Sequence, residues 1–380
     1  EDKLDVMTVE GHASQLNTLK KSGLDEDTVI IAVTSNDEVN IVSCQIAKKV
    51  FNVKKTICRF KDNSYFEQLD IFGDGVIDIP ISPEDEITSH LKELIEHPGA
   101  GQIETFANGK VKLVSVKAKK KGKLVGRELK GIRDDMPDVD AFIASIYRKG
   151  RPFIPSGDTV IKENDEIYFI SSESDIGSIV EEFRDHEEQY SRIMIVGGGK
   201  VGFSLAKDLE QAYNVKLIDS NSDRCIKLSK ELEKTIVLNG SATDETLLKS
   251  ENIANIDIFC ALTDDDSENI LSSLMAKKMG CRYVLCLLKE NTYSECIEGL
   301  VDYSILTKTA IINAILSEIY KGDRIDRIKS MDTGKLIYLK ISVDDKFKYL
   351  QKALKSIPDT LFKIGILRNE SFHFDLDLII

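Results

Sequence analysis

One segment of this chain occurs twice. Gly11-His12-Ala13-Ser14 aligns with Gly240-Ser241-Ala242-Thr243 at an offset of 229 residues. The offset holds without a gap from Ile31 to Ile41 against Cys260 to Ile270, and continues through Ala47-Lys48-Lys49 against Ala276-Lys277-Lys278. Shared glycine, threonine, aspartate, asparagine and lysine positions at one register identify two copies of one structural unit. At 380 residues the chain is long enough for each copy to bury its own core.

The second copy opens with the apolar run Arg192-Ile193-Met194-Ile195-Val196, of strand type, followed by Gly197-Gly198-Gly199-Lys200-Val201-Gly202. Gly197, Gly199 and Gly202 stand in G-x-G-x-x-G spacing. The residues that follow read as a helix, with apolar positions at Phe203, Leu205, Ala206 and Leu209. A further strand, Val215 to Ile218, ends in Asp219, 22 residues after Gly197. This is the pattern of a doubly wound α/β sheet with a nucleotide site at its edge. Gly197 allows the tight turn, Gly199 lets backbone approach a pyrophosphate, and Gly202 permits close helix–strand packing. The helix start offers N–H groups to phosphate, and the acid suits a ribose hydroxyl. A Rossmann-like domain that keeps its glycines for packing alone would show the same spacing.

Each copy then delivers a strand, Val29–Val33 or Ile258–Leu262, to a threonine at its carboxyl end, Thr34 or Thr263. Ligands of open parallel sheets bind at that end. Thr34-Ser35 and Thr263-Asp264 are therefore candidates to touch a nucleotide. Asp37 and Asp266 follow, with helices expected to begin near Asn40 and Asn269, and the acid and hydroxyl residues are placed to cap them. The next strands are Thr56–Phe60 and Val284–Leu288. Arg59 ends the first on the ligand side, a candidate for phosphate, whereas the second ends in leucines, so the copies are expected to bind unequally. The acids Asp264-Asp265-Asp266 suit a solvated helix start better than a divalent cation. By the repeat, the opening β-α-β of copy one would precede residue 1, so the first unit is expected to be incomplete and the chain a fragment.

Between the copies the character changes. Lys112–Val116 alternates as a strand, and Lys119-Lys120-Lys121-Gly122-Lys123 forms a basic loop, expected as a solvated tip. Leu124–Leu129 leads into a short helix, and Ala141–Tyr147 reads as a strand turning at Arg148-Lys149-Gly150-Arg151-Pro152. A turn at Gly157-Asp158 and a strand at Asp165–Ile170 complete a small α+β domain. Glu181–Tyr190 reads as a charged linker. A weaker copy of the small domain begins near Lys335, with Lys335–Ile341 and Leu361–Arg368 as strands, and stops short of a last strand.

Composition excludes several classes. A net charge of −13 argues against nucleic acid as a partner. No run reaches the roughly 18 apolar residues of a membrane span. The cysteines (44, 58, 225, 260, 281, 286, 296) form no C-x-x-C pair and read as reduced structural thiols, and the five histidines are dispersed, so no metal site is expected.

The order of glycine-loop Rossmann unit, small α+β unit, and both again resembles the regulators of Trk potassium uptake, in the RCK (KTN) family. The stretches that carry the likeness are GHAS and AVTSNDEVN in copy one, and RIMIVGGGKVGFSLAKDLE, VKLIDS and ALTDDDSENI in copy two. In the small domain they are LVGREL and YRKGRPFIPSGDTVIKENDEIYFI. The likeness implies Rossmann-like units over residues 1–96 and 190–308, and small α+β units over 99–185 and 323–380, the first and last incomplete. It implies a cytoplasmic, non-enzymatic ring subunit, a homo-oligomer peripheral to the membrane. Such a subunit binds NAD(H) or ATP/ADP and gates a membrane potassium-translocating subunit of TrkH/TrkG type. By position, Gly197, Gly198, Gly199, Lys200, Val201 and Gly202 would hold phosphates and Asp219 the ribose. Thr263, Asp264, Thr34, Ser35 and Arg59 would complete two pockets. Ser241 stands where an aspartate commonly follows the glycine. Other readings are a regulatory module of another cation transporter or antiporter, and an NAD-dependent dehydrogenase. The dehydrogenase lacks a His or Lys cluster downstream of the glycine loop, and a second copy stands where its catalytic domain would be.

Overall fold

Strands of β-branched and apolar residues alternate with helices in both copies, and each copy builds a parallel sheet. The computed structural model describes residues 6–61, 63–66, 68–106, 111–131, 141–149, 151–184, 190–297, 299–319, 325–331, 336–341, 366–368 and 371–373. These residues fall into two units, residues 1–87 with 306–320, and residues 88–305 with 321–380.

In the first unit β1 (Val29–Ala32), β2 (Lys55–Arg59) and β3 (Ile79–Ile81) form a parallel sheet in that order, Val29 opposite Lys55 and Ile57 opposite Ile79. The helix Asp37–Phe51 lays Ile41, Cys44 and Ala47 into the core with Ala32, Cys58 and Phe60. It ends at Asn52, whose φ of 53° is the left-handed conformation of a helix C-cap.

The second unit holds the small domain. Its antiparallel sheet has β4 (Ala100–Phe106), β5 (Val111–Lys117), β6 (Ala141–Arg148), β7 (Arg151–Phe153) and β8 (Glu166–Ser171), in the order β4-β5-β8-β6-β7. The expected turn joins β6 to β7, with Arg148 paired to Arg151. Asp165 is 1% exposed and neutralised by Arg148 at 2.7 Å from both carboxylate oxygens. After Leu129 the chain enters a 3-10 turn, Leu129–Gly131, and the rest of the expected short helix lies outside the described residues.

Of two expectations here, one is corrected and one is refined. The start of the expected linker is the last turn of a helix, Ile176–Phe183, which buries Ile176, Ile179, Val180 and Phe183 at the 3.6-residue period. The lysine loop is solvated through its four lysine side chains, but its backbone is docked rather than free. Gly122 is buried, and a Cβ there would lie 2.2 Å from the Phe183 carbonyl oxygen. Lys119 N–H donates to that same oxygen at 3.0 Å, and Leu124 N–H to Glu182 O at 3.1 Å. The loop backbone thus caps a helix end while its lysine side chains face water.

The same unit carries the second copy: β9 (Arg192–Val196), β10 (Asn214–Asp219), β11 (Ile236–Asn239), β12 (Ile258–Ala261), β13 (Tyr283–Leu288) and β14 (Tyr303–Leu306). The sheet runs β11-β10-β9-β12-β13-β14, and pairing of β10 with β9 and β11, and of β12 with β9 and β13, is parallel. All six residues of β13 are buried, as a strand covered on both faces requires. Each such aliphatic side chain contributes about 1.5–3 kcal/mol. Successive strands are added to one side of β9 through β11 and to the other side from β12 onward, so the gap between β9 and β12 is the topological switch point. Beyond this sheet, β15 (Ile325–Met331) pairs antiparallel with β16 (Leu336–Ile341), and β17 (Ile366–Arg368) with β18 (Ser371–His373). Of the expected strand Leu361–Arg368, residues 361–365 lie outside the described residues.

The two copies differ in cover. Val29, Ile31 and Val33 are 40, 38 and 38% exposed, whereas their counterparts Ile258, Cys260 and Leu262 are at most 5% exposed against β9.

Asp257 fastens β9 to β12 at their amino ends. Its carboxylate accepts N–H from Ser191 (3.0 Å) and Arg192 (2.9 Å) and lies 3.3 Å from the Arg192 guanidinium. Burial alone would raise its pKa, but the hydrogen bonds from Ser191 and Arg192 outweigh it and hold the carboxyl below its usual value. A depressed folded-state pKa gives stability that is complete above the unfolded value, about 3.9, and is lost as pH falls through the folded one. Urea titrations between pH 3 and pH 7 are expected to show Asp257→Asn less stable at neutral pH, with a shallower loss below pH 4. An acid limb identical to that of the parent chain would exclude Asp257 as a contributor.

Candidate functional site

Three strand ends meet at the carboxyl edge of the second copy's sheet. The turn after β9 places Gly197 at φ 95°, and a Cβ there would lie 2.8 Å from Leu262 O and 2.9 Å from Thr263 N, in the loop after β12. Only glycine fits such a backbone contact at such a φ. A Cβ on Gly202 would lie 1.9 Å from Gly197 O, so the helix start is pressed directly onto the turn. Gly199 is different. It is exposed, its φ is −68°, and nothing lies within 4 Å of its Cβ position. The space that the sequence assigns to a pyrophosphate is open.

The helix begins at Lys200 rather than Phe203 and runs to Leu209, with Val201, Gly202, Leu205, Ala206 and Leu209 buried. Starting at Lys200 brings the first turn against the glycines. Its leading N–H groups have no partner within the helix, and its dipole favours an anion beside Gly199.

Asp219 is the last residue of β10 and 5% exposed. Its Oδ2 accepts the Gly198 N–H at 2.7 Å, its Oδ1 accepts Asn221 N–H at 2.8 Å, and the Arg224 guanidinium approaches Oδ2 at 2.8 Å. A Cβ on Gly198 would lie 3.2 Å from that carboxylate and 2.5 Å from Leu228. The acid is thus tied to the glycine loop itself. The backbone at Gly240 closes the same edge by donating to Asp219 O at 3.0 Å, and beyond it Ser241 Oγ bonds Thr243 Oγ1 at 2.8 Å.

Thr263 lies on the other side of the turn. Its N–H and hydroxyl both bond Asn269 Oδ1 at 2.8 Å, and Asn269 Nδ2 donates to Thr263 O and Leu287 O at 2.9 Å. The first copy repeats this clamp. Thr34 N–H and hydroxyl bond Asn40 Oδ1 at 2.9 and 2.7 Å, and Asn40 Nδ2 donates to Thr34 O and Arg59 O at 3.2 and 3.1 Å. Both asparagines are fully buried. The helices start at Asp37 and Asp266, not near Asn40 and Asn269. The caps are Asn36 and Asp265, which accept Val39 N–H and Glu268 N–H at 2.8 Å. Asp37 and Asp266 instead hold the next loop, through Lys61 N–H at 2.8 Å and Lys289 N–H at 3.0 Å.

Each of the three consecutive acids is therefore occupied: Asp264 faces solvent beside Lys289, Asp265 caps, and Asp266 anchors a loop. Among the described residues no cluster of three His, Cys, Asp or Glu side chains could hold a metal. Ser35 is exposed next to the first clamp, and the Arg59 guanidinium lies 3.4 Å from Glu84 with 15% of its side chain exposed. So Gly197 to Gly202, Asp219 and Thr263 converge on one sheet edge. Thr34, Ser35 and Arg59 sit at the matching edge of the first unit. Sequence reading missed Asn40, Asn269, Asn221 and Arg224. The two asparagines stand at matched positions of the repeat, a visible signal, but their bonds reach six residues back and eighteen or nineteen forward.

The TrkA-N domain family matches residues 1–83 and 193–306, and the TrkA-C domain family matches residues 113–184. The Trk system potassium uptake protein TrkA of Halomonas elongata is 44% identical over 324 residues, spanning 84% of this chain and 71% of that protein. The protein of the same name from Vibrio alginolyticus is 42% identical, spanning 88% and 74%. Among solved structures, the GsuK channel superposes with a TM-score of 0.59 at 18% identity, over 90% of this chain and 68% of that one. The GsuK channel bound to NAD gives 0.56 at 18% identity, over 80% of this chain and 54% of that one. The likeness to GsuK is one of fold. Among the described residues no helix is long and apolar enough to cross a membrane. The paired TrkA-N matches account for the repeated clamp, the TrkA-C match falls on the antiparallel sheet between them, and the chain belongs to the family of Trk system potassium uptake proteins TrkA.

Proposed function

We propose that the chain is a nucleotide-binding regulatory subunit of a Trk-type potassium uptake system, and that it controls a separate membrane potassium-translocating subunit of TrkH/TrkG type. One observation carries the nucleotide reading: Asp219 accepts the Gly198 N–H at 2.7 Å, so the ribose acid and the phosphate loop form one preorganised edge. The relatives' shared name supplies the potassium system, and a channel of like fold bound to NAD supports a dinucleotide ligand. In this reading Gly197 to Gly202 hold phosphates, Asp219 holds the ribose, and Thr263 and Asp264 border the pocket. Thr34, Ser35 and Arg59 border the second pocket, at the first copy. The ligands are NAD(H) or ATP/ADP.

The protein does no chemistry on its ligand in this reading. It acts as a homo-oligomeric ring at the cytoplasmic face of the membrane, with Rossmann-like units at 1–96 and 190–308 and small units at 99–185 and 323–380. A nucleotide moves such an assembly between states only by its difference in affinity for them. Ligands that fill the pocket differently therefore push the membrane subunit in different directions. Potassium flux through the complex reconstituted in liposomes tests this with ATP, ADP, NAD⁺ and NADH added in turn. Flux is expected to differ between nucleotides at saturation. Equal flux under all four, with binding verified by calorimetry, would remove the regulatory role and leave only the binding site.

A further inference from the structure

We infer that Arg224 is a specificity-determining residue of the second copy's pocket, and that it admits adenine nucleotides carrying a 2′-phosphate beside those without one. The inference rests on the nucleotide reading above. In a pocket of this topology an acid at the end of the second strand bonds the ribose 2′-hydroxyl, while a nearby arginine accommodates a 2′-phosphate. This chain has both within five residues, and they touch.

The geometry shows what each group has left to offer. Asp219 is 5% exposed and accepts three hydrogen bonds: from Gly198 N–H at 2.7 Å, Asn221 N–H at 2.8 Å and Arg224 at 2.8 Å. Its charge is thus paired by Arg224 and spread over two backbone donors, which removes most of the repulsion that a bare buried carboxylate exerts on a phosphate. Arg224 spends one terminal nitrogen on that contact, and its side chain remains 49% exposed. A guanidinium presents its donors as a planar fork suited to phosphate oxygens. Its position is set from below, because Asn221 Oδ1 accepts the Arg224 N–H at 2.9 Å as the cap of the helix Ser222–Glu231. In that first helical turn the dipole adds to the positive potential. A 2′-phosphate, on a ribose that keeps only its 3′-hydroxyl to donate to Asp219, would fall beside this fork.

Calorimetric titration of the full chain with two matched pairs tests the assignment: NADH against NADPH, and adenosine 5′-monophosphate against adenosine 2′,5′-bisphosphate. The phosphorylated member is expected to bind within about tenfold of its partner, since one charge-assisted contact offsets the cost of the added charge. Arg224→Gln is expected to weaken the phosphorylated member by about tenfold or more and its partner by less than about threefold. Arg224→Lys keeps the charge without the fork, and should retain part of that affinity. Thermal unfolding of each variant separates loss of fold from loss of specificity, and the parent chain's ratio needs no variant at all. Rejection of the 2′-phosphate by more than tenfold in the parent chain would overturn the inference while leaving the nucleotide site intact. So would a folded Arg224→Gln that weakens both members equally. Binding of neither member of either pair would remove the nucleotide reading itself, and the inference with it.

Discussion

Gly202→Ala is expected to destabilise the second unit by about 1–3 kcal/mol and to abolish nucleotide binding. Gly199→Ala is expected to leave stability within about 0.5 kcal/mol and still to weaken binding at least tenfold. The contrast follows from what each Cβ would meet. At Gly202 it would sit 1.9 Å from the Gly197 carbonyl oxygen, a backbone atom that moves only if the turn does. That turn is also held by Gly197 N–H to Ile218 O at 2.9 Å and by Gly198 N–H to Asp219 at 2.7 Å. Displacing it dismantles the site. At Gly199 the methyl would point into open space from an unstrained φ of −68°, so the free protein has no reason to change. A loss of affinity there reports directly on something that occupies this space when bound. Urea midpoints at constant slope measure the first effect. Calorimetry with NADH and ATP measures the second. Unchanged affinity in a folded Gly199→Ala chain would place the phosphates away from the glycine loop.

The second large effect is expected at Asn269. Replacing it with leucine, which keeps the branching but has no polar atoms, would strand the Leu287 carbonyl in a buried position and the Thr263 N–H and carbonyl in a part-buried one. Each buried group left without a partner costs about 1–3 kcal/mol, and a total of about 3 kcal/mol or more is expected. Asn40→Leu should cost less. The residues around its clamp are open to solvent, Thr34 and Ser35 both being exposed, so water can replace the lost partners. Hydrogen exchange read on peptides covering 258–290 and 29–60 would resolve the two. Equal protection loss at both sites would show that burial does not set the difference. A loss below about 0.5 kcal/mol at Asn269 would show that the clamp carries no stability of its own.

Much of the site was legible in one dimension because its parts are local. Strand, turn and helix at Arg192 to Leu209 follow from an apolar run, three glycines at fixed spacing and a helical period. Asp219 follows from one more strand of ordinary length. The helices start three residues before Asn40 and Asn269 because Asn36 and Asp265, not the later asparagines, satisfy the first free N–H groups. The docked backbone of the lysine loop is not legible in the sequence for a related reason. Charge along a segment describes its side chains, whereas Gly122 fixes where its backbone lies, against Phe183 some sixty residues on.

What the sequence determined by itself is the set of repeated parts: two copies of one parallel-sheet unit, an α+β domain between them, and one complete glycine loop. Those features depend on periodicity and on the steric freedom of glycine, which are properties of neighbouring residues. Tertiary structure alone decided which groups meet. It turned Asp219 toward Gly198 and Arg224, set Asn40 and Asn269 as bridges between strand ends, and gave Arg59 to Glu84. The physical reason is that a buried polar group must find partners wherever the fold brings them, and strand order, not chain order, determines which partners those are.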